Sequence, residues 1–274
     1  MKLAGHLRKM RVSLESPVTY TLLVDNEAET LNPHVGKRLR MAYSGDIHCL
    51  ACGRKTSKSY SQGHCYPCSQ SLASCDLCIM KPETCHYAAG TCREPQWGEQ
   101  NCMQAHYVYL ANSSGIKVGI TRAPQIPTRW IDQGASQALP IFRVSHRYLS
   151  GLVEVAMKDH VSDRTDWRRM LKGAPEAVDL AAQRDALFTQ TRDAVQALAS
   201  RFDDNAIEWL DNAPIVEIDY PVHAYPDKVR SLNFDKTPLI EGTLQGIKGQ
   251  YLLLDTGVLN IRKFAGYYVE VELD

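Results

Sequence analysis

Four cysteines in the pattern Cys49-x2-Cys52-x12-Cys65-x2-Cys68 have the residue type and spacing that a tetrahedral metal ion needs. Each tight turn presents two sulfurs, and the loop between them brings the pairs together around one ion, for which zinc is the usual occupant. Four protein thiolates leave zinc no open position, so a structural role is expected. Five more cysteines follow, Cys75, Cys78, Cys85, Cys92 and Cys102, with His86 and His106 nearby, in a spacing that fits no single zinc pattern. A second ion is expected here. Cys75-x2-Cys78 would supply one knuckle and two of Cys85, Cys92 and Cys102 would complete it, as a second structural zinc or, through four of the five thiols, an iron–sulfur cluster. All nine cysteines lie between residues 49 and 102, which argues against a chain-wide disulfide framework.

The rest of the composition is that of an ordinary globular protein. The chain has 274 residues, 44% hydrophobic and 23% charged, enough for one large or several small cores. No apolar run reaches the roughly 18–20 residues that would span a bilayer, and residues 1–16 lack the apolar stretch of a secretory signal. A cytoplasmic location without membrane contact is the expectation. The formal net charge of zero is unevenly distributed. Residues 105–172 hold ten Lys/Arg against five Asp/Glu, whereas residues 173–212 hold three against eight. A basic segment beside an acidic one is compatible with a polyanion on one surface.

The elements that must position these groups follow from periodicity and turn chemistry. Residues 18–24 and 38–43 read as strands, separated by a turn at Asn32-Pro33. Residues 107–111 and 116–121 are short apolar runs joined by Asn112-Ser113-Ser114-Gly115, which predicts a β-hairpin. Leu149, Leu152, Val153, Ala156 and Met157 share one helical face over 149–159. A longer acidic helix is expected to begin at Pro175 and to run to about residue 201. After residue 213, four short β-rich runs separated by glycine turns suit a small barrel of the SH3 or OB kind, completed by the N-terminal strands.

Tyr107-Val108-Tyr109-Leu110-Ala111-Asn112, Lys117-Val118-Gly119-Ile120-Thr121-Arg122 and Arg129-Trp130 together resemble the core of a GIY-YIG endonuclease domain over about residues 105–171. The resemblance implies phosphodiester hydrolysis, with Tyr107 or Tyr109 as the first-motif tyrosine, Gly119 as the second-motif glycine, Arg129 on the phosphate and Glu154 as ligand of magnesium or manganese. Two departures stand out. The first motif lacks its glycine-isoleucine opening, and Lys117 stands where the second motif has tyrosine; lysine serves as a base only when its pKa is lowered. The wider chain, through Cys75-Asp76-Leu77-Cys78, Pro82-Glu83-Thr84-Cys85, Gly90-Thr91-Cys92-Arg93 and residues 257–262, resembles the uncharacterised prokaryotic family catalogued as domain of unknown function 2797.

These readings combine into an α+β layout. An N-terminal β segment (1–48) precedes a cysteine-rich, zinc-ribbon-like region (49–104) and a GIY-YIG-like hairpin-plus-helices domain (105–172). A helical linker (173–212) and a small β-barrel (213–274) follow. The expected function is a zinc-binding, metal-dependent nuclease acting on DNA or RNA. A non-catalytic nucleic-acid-binding protein and a protein-interaction scaffold are the alternatives, since zinc knuckles and small barrels serve both.

Overall fold

The computed structural model describes residues 1–274. Leu39 and Met41 are fully buried while Arg38 and Arg40 stay accessible, the two-residue period of a strand with one covered face. This strand, Arg38–Ile47, lies inside a six-stranded antiparallel sheet. The spatial order is Lys2–His6, Tyr267–Leu273, Arg38–Ile47, Leu239–Lys248, Tyr251–Leu254 and Gly257–Asn260. The two ends of the chain therefore meet: Lys2 pairs with Glu272, and Leu273 with Leu39.

The expected SH3- or OB-like barrel does not close. The chain leaves the sheet after His6, and Leu7 bridges to Val24 of a separate three-stranded sheet, Arg11–Ser13, Thr19–Val24 and Glu27–Thr30. At the opposite edge the irregular segment around Ser231 covers Gly257–Asn260, with Val258 N–H donating to Arg230 O at 2.8 Å and Leu232 N–H to Val258 O at 2.9 Å. Both edges are thus engaged by other chain segments, and neither is left to pair with the other.

The hairpin forms where its turn residues place it. His106–Asn112 and Ile116–Arg122 pair in full register, and Gln137–Val144 flanks the first of them. Two short strands, Ile207–Trp209 and Val216–Glu217, extend the far edge to five strands. One face, with Val108, Leu110 and Val118, is covered by Leu149 and Val153 of the helix Arg147–Met157 and by Leu187 and Val195 of the helix Leu180–Ala199. The opposite face, with Tyr109, Ala111 and Ala138, joins Trp130 and the side chains of the six-stranded sheet in one continuous core. That shared core holds the two sheets at a fixed distance. The C-terminal strands therefore help to position the hairpin.

The long helix begins five residues later than Pro175. Asp179 caps it, its carboxylate accepting from Ala182 N–H at 2.9 Å. Residues before the cap are held extended on the hairpin sheet: Asn112 Nδ2 donates to Glu176 O at 2.8 Å and Val178 N–H to Gln137 Oε1 at 3.0 Å. Those bonds use backbone groups that a first helical turn would have needed. No helix is long and apolar enough to cross a membrane.

Candidate active cleft and metal centre

In the first cysteine group, Cys49 N–H donates to Arg54 O and Gly53 N–H returns to Cys49 O, which closes one knuckle. Cys65 opens the short helix Tyr66–Ser71, which carries Cys68 on its first turn. Leu50 N–H donates to Gly63 O and joins the knuckles. The ligand atoms of Cys49, Cys52, Cys65 and Cys68 all lie within 4.8 Å of one another, with Cys52 and Cys65 sulfurs 3.8 Å apart. A zinc–sulfur length of about 2.3 Å places tetrahedral sulfurs about 3.8 Å apart, so these residues can hold zinc. Burial pushes the Cys49 thiol up, but N–H donors from Cys65, Cys52 and Ala51 outweigh it and bring it down to about 6. The Cys68 thiol goes the other way, up to about 12, through hydrogen bonds to the Cys65 and Cys52 sulfurs. Four crowded sulfurs cannot all ionise unless a cation joins them.

Downstream, the hairpin builds one wall of a cleft of about 610 Å³. Lys117, Gly119, Arg129 and Glu154 all line it, although they come from a strand, a short helix and a longer one. The second wall is the segment Ile79–Glu83 of the cysteine-rich region. Its backbone lies close over Gly151 in the helix that carries Glu154. A side chain at Gly151 would meet Glu83 N at 2.4 Å. That close approach brings the Glu83 and Glu154 carboxylates to the same space.

Tyr109 and Gly119 face each other across the hairpin, and the Tyr109 ring is fully buried under the glycine. Its hydroxyl donates to Gln133 Oε1 at 3.0 Å, and the Lys117 ammonium donates to the same oxygen. Neither Tyr109 nor Tyr107, which shares its strand face, lines the cleft itself; Tyr109 reaches it through Gln133, and its hydroxyl feels the Arg129 and Glu154 charges. The structure therefore brings Lys117, Arg129 and Glu154 to one cleft, with Tyr109 buried behind it and tied to Lys117 through Gln133.

Arg129 sits on the helix Thr128–Asp132, anchored by buried Trp130 and Ile131. Asp132, at the end of that helix, is ion-paired with Lys9 and accepts from Gln250 Nε2 at 2.9 Å. These ties to distant parts of the chain fix the helix. The Arg129 Nε is buried without a hydrogen-bond partner, while the residue as a whole lines the cleft and its charge acts on the Tyr109 hydroxyl.

Charges inside the cleft shift one another. Burial, and then the Arg129 charge, bring Lys117 down to about 8, against the opposing effect of Glu154 and Asp163. Burial raises Glu154 from 4.5 to about 7, and Asp163 and Glu83 add to the rise while Lys158 and Arg129 oppose it. One Glu83 carboxylate oxygen is buried with no partner. The cleft lining thus mixes eight cations, Lys117, Arg122, Arg129, Arg147 and Arg262 among them, with three carboxylates, Glu83, Glu154 and Asp163, the last paired with Lys158 and Arg164.

Sequence reasoning missed Gln133, Glu83, Asp163, Arg147 and Arg262. Gln133 lies four residues beyond Arg129, one helical turn away, and that spacing was a usable signal. The others reach the cleft only through tertiary contacts. A polar groove of about 670 Å³ continues from the cleft, sharing Lys117, Gln133, Asp163 and Arg262 with it. Trp167 and Tyr251 line this groove with parallel rings 5.7 Å apart.

Residues 36–269 match the family described as "Protein of unknown function (DUF2797)". The chain belongs to this family. The match to DUF2797 runs from the strand Arg38–Ile47 through the cysteine groups and the cleft to the strand Tyr267–Leu273. No curated protein and no solved structure matches the chain.

Proposed function

We propose that this DUF2797 protein is a zinc-stabilised, divalent-metal-dependent nuclease that hydrolyses phosphodiester bonds in DNA or RNA. The observation that carries the reading is the convergence of Lys117, Gly119, Arg129 and Glu154 on one cleft, with Tyr109 buried beneath Gly119. That arrangement supports the GIY-YIG-like reading of the hairpin. The Arg129 guanidinium, which lines the cleft, is suited to a phosphate oxygen.

The donor set also fits a hard cation. Glu154 and Glu83 supply carboxylates in a partly buried site, and a Glu83 oxygen lacks a partner. Magnesium or manganese held there would stabilise charge on the phosphoryl group and on the leaving oxygen. Lys117, with its pKa lowered to about 8, holds a neutral amine fraction at physiological pH. Its Nζ would take the proton of the attacking water as the new P–O bond forms and the old one breaks. Gln133 orients that ammonium and fixes the Tyr109 hydroxyl at the same time. The polar groove beside the cleft, with Arg262 and Lys263, would guide an adjoining stretch of strand through its phosphates.

The deciding experiment is Glu154→Ala assayed on single- and double-stranded DNA and RNA with magnesium or manganese. Cleavage should disappear while zinc content and circular dichroism stay at wild-type values. Undiminished cleavage would overturn the assignment.

A second reading has its own observation. Tyr109 is fully buried, and Lys117 occupies the tyrosine place of the second motif, so the cleft departs from the pattern at its reacting end. A protein that only binds nucleic acid would show salt-sensitive affinity with no metal-dependent turnover.

A further inference from the structure

The second cysteine group has a geometry of its own. Cys78, Cys85, Cys92 and Cys102 line one small cavity together with Trp97, Asp76 and His86. They reach it from four places in the chain. Cys78 sits in the 3-10 turn Leu77–Ile79 and Cys85 ends the turn Pro82–Thr84. Cys92 precedes the helix Pro95–Asn101, and Cys102 caps its end. The remaining thiol, Cys75, is not among the cavity residues, and its sulfur lies beside Ser74 Oγ at 4.0 Å.

Spacing separates this quartet from the first group. The sulfurs of Cys49, Cys52, Cys65 and Cys68 lie within 4.8 Å of one another, whereas no three of the four cavity sulfurs form such a set. A single tetrahedral zinc requires the closer spacing, about 3.8 Å between sulfurs. Four thiols that line one cavity without forming such a compact set suit a polynuclear centre, in which each sulfur binds its own iron or shares one with a single neighbour.

A compact trio does exist here, Asp76, Cys78 and His86. Its carboxylate is already used, however, by Arg93, whose Nε lies 2.7 Å from Asp76 Oδ2. His86 Nδ1 is hydrogen-bonded to Thr91 Oγ1 at 2.8 Å. A guanidinium against the carboxylate accounts for the trio without a metal and opposes a cation there. Beside the quartet, Arg147 donates to Ile79 O at 2.7 Å, so a positive side chain is held against the loop that carries the first ligand. Negative charge from four thiolates would be offset at that point.

We propose that Cys78, Cys85, Cys92 and Cys102 ligate an iron–sulfur cluster, separate from the zinc site and independent of the nuclease reading. The loop between the first two ligands contains Pro82 and Glu83, which pack on Gly151 and form a wall of the cleft. Cluster assembly would therefore set the shape of that wall.

The full chain should be purified without oxygen and its zinc, iron and acid-labile sulfide measured, before and after reconstitution with ferrous iron, sulfide and a thiol reductant. One zinc per chain is expected, with iron and sulfide in equal amounts and a broad visible charge-transfer band. Cys78→Ser, Cys85→Ser, Cys92→Ser and Cys102→Ser should each lose most of the iron and keep the zinc. Cys75→Ser should keep both. Two zinc ions with no iron after reconstitution would overturn the proposal. So would iron without sulfide, or a Cys75→Ser protein as depleted as Cys92→Ser. Because metal content of the wild-type protein decides the question by itself, a variant that fails to fold leaves the test intact.

Discussion

The Tyr109 hydroxyl lies so close beneath Gly119 that a methyl group at that glycine would sit 2.7 Å from it. The two residues are direct partners across the hairpin, and the tyrosine ring fills the space that a second side chain would claim. Gly119→Ala should therefore destabilise the fold by about 1–3 kcal/mol, the usual range for overpacking a tight site. Urea melts would measure it, and Tyr109→Phe in the same chain should recover only part, because the ring carbon bearing the hydroxyl is itself 2.8 Å away.

Glu154 predicts a pH dependence of stability. Its pKa rises from 4.5 in the unfolded chain to about 7 in the cleft, so between these values the folded state binds more protons and stability falls as pH rises. Above pH 7 the cost is complete. Without added magnesium or manganese, Glu154→Gln should be more stable than wild type by about 1–3 kcal/mol at pH 8 and unchanged near pH 4. Thermal melts at the two pH values would test the sign.

Lys117 and Arg129 should separate by their kinetics. If the Lys117 amine takes the proton of water, kcat/KM should rise with pH to a plateau above about 8, and Lys117→Arg should abolish turnover while retaining nucleic-acid binding. Arg129→Ala should weaken both substrate binding and turnover by roughly 10- to 100-fold, with Arg129→Lys recovering only part because a point charge lacks the planar fork. Binding isotherms run beside rate profiles would distinguish the two roles.

Removal of zinc should act on the knuckles first. Cys52 is exposed, so a chelator can reach the site, and Cys52→Ser should lower zinc content by about one ion per chain and open residues 49–68 to protease. The hairpin sheet has its own core and should keep its circular dichroism. Metal analysis with limited proteolysis would show whether loss is confined to that region.

Much of the local structure was legible in the residues. The hairpin turn at Asn112–Gly115, the inward alternation of Leu39 and Met41 and the apolar face of the helix Arg147–Met157 each depend on neighbours within a few positions. The first cysteine group, which could hold zinc, belongs to this class, since two knuckles twelve residues apart carry their own geometry. The start of the long helix was not legible from Pro175, because its position depends on hydrogen bonds from Asn112 and Gln137, far away in sequence.

By itself the sequence determined the residue types of the cleft, the four thiols that could hold a metal ion together and the order of elements along the chain. Only the tertiary structure decided which distant groups meet. It brought Glu83 from the cysteine-rich region against Glu154 through the bare surface of Gly151, and it set Cys75 apart from the four thiols that share a cavity. It also left the terminal strands as an open sheet, because the chain after His6 and the segment at Ser231 engage the two edges. The physical reason is common to all three. Short-range torsional and capping preferences are encoded by neighbours, whereas the packing of one element on another depends on side-chain volumes and backbone approach over long separations, for which a single sequence carries no local signal.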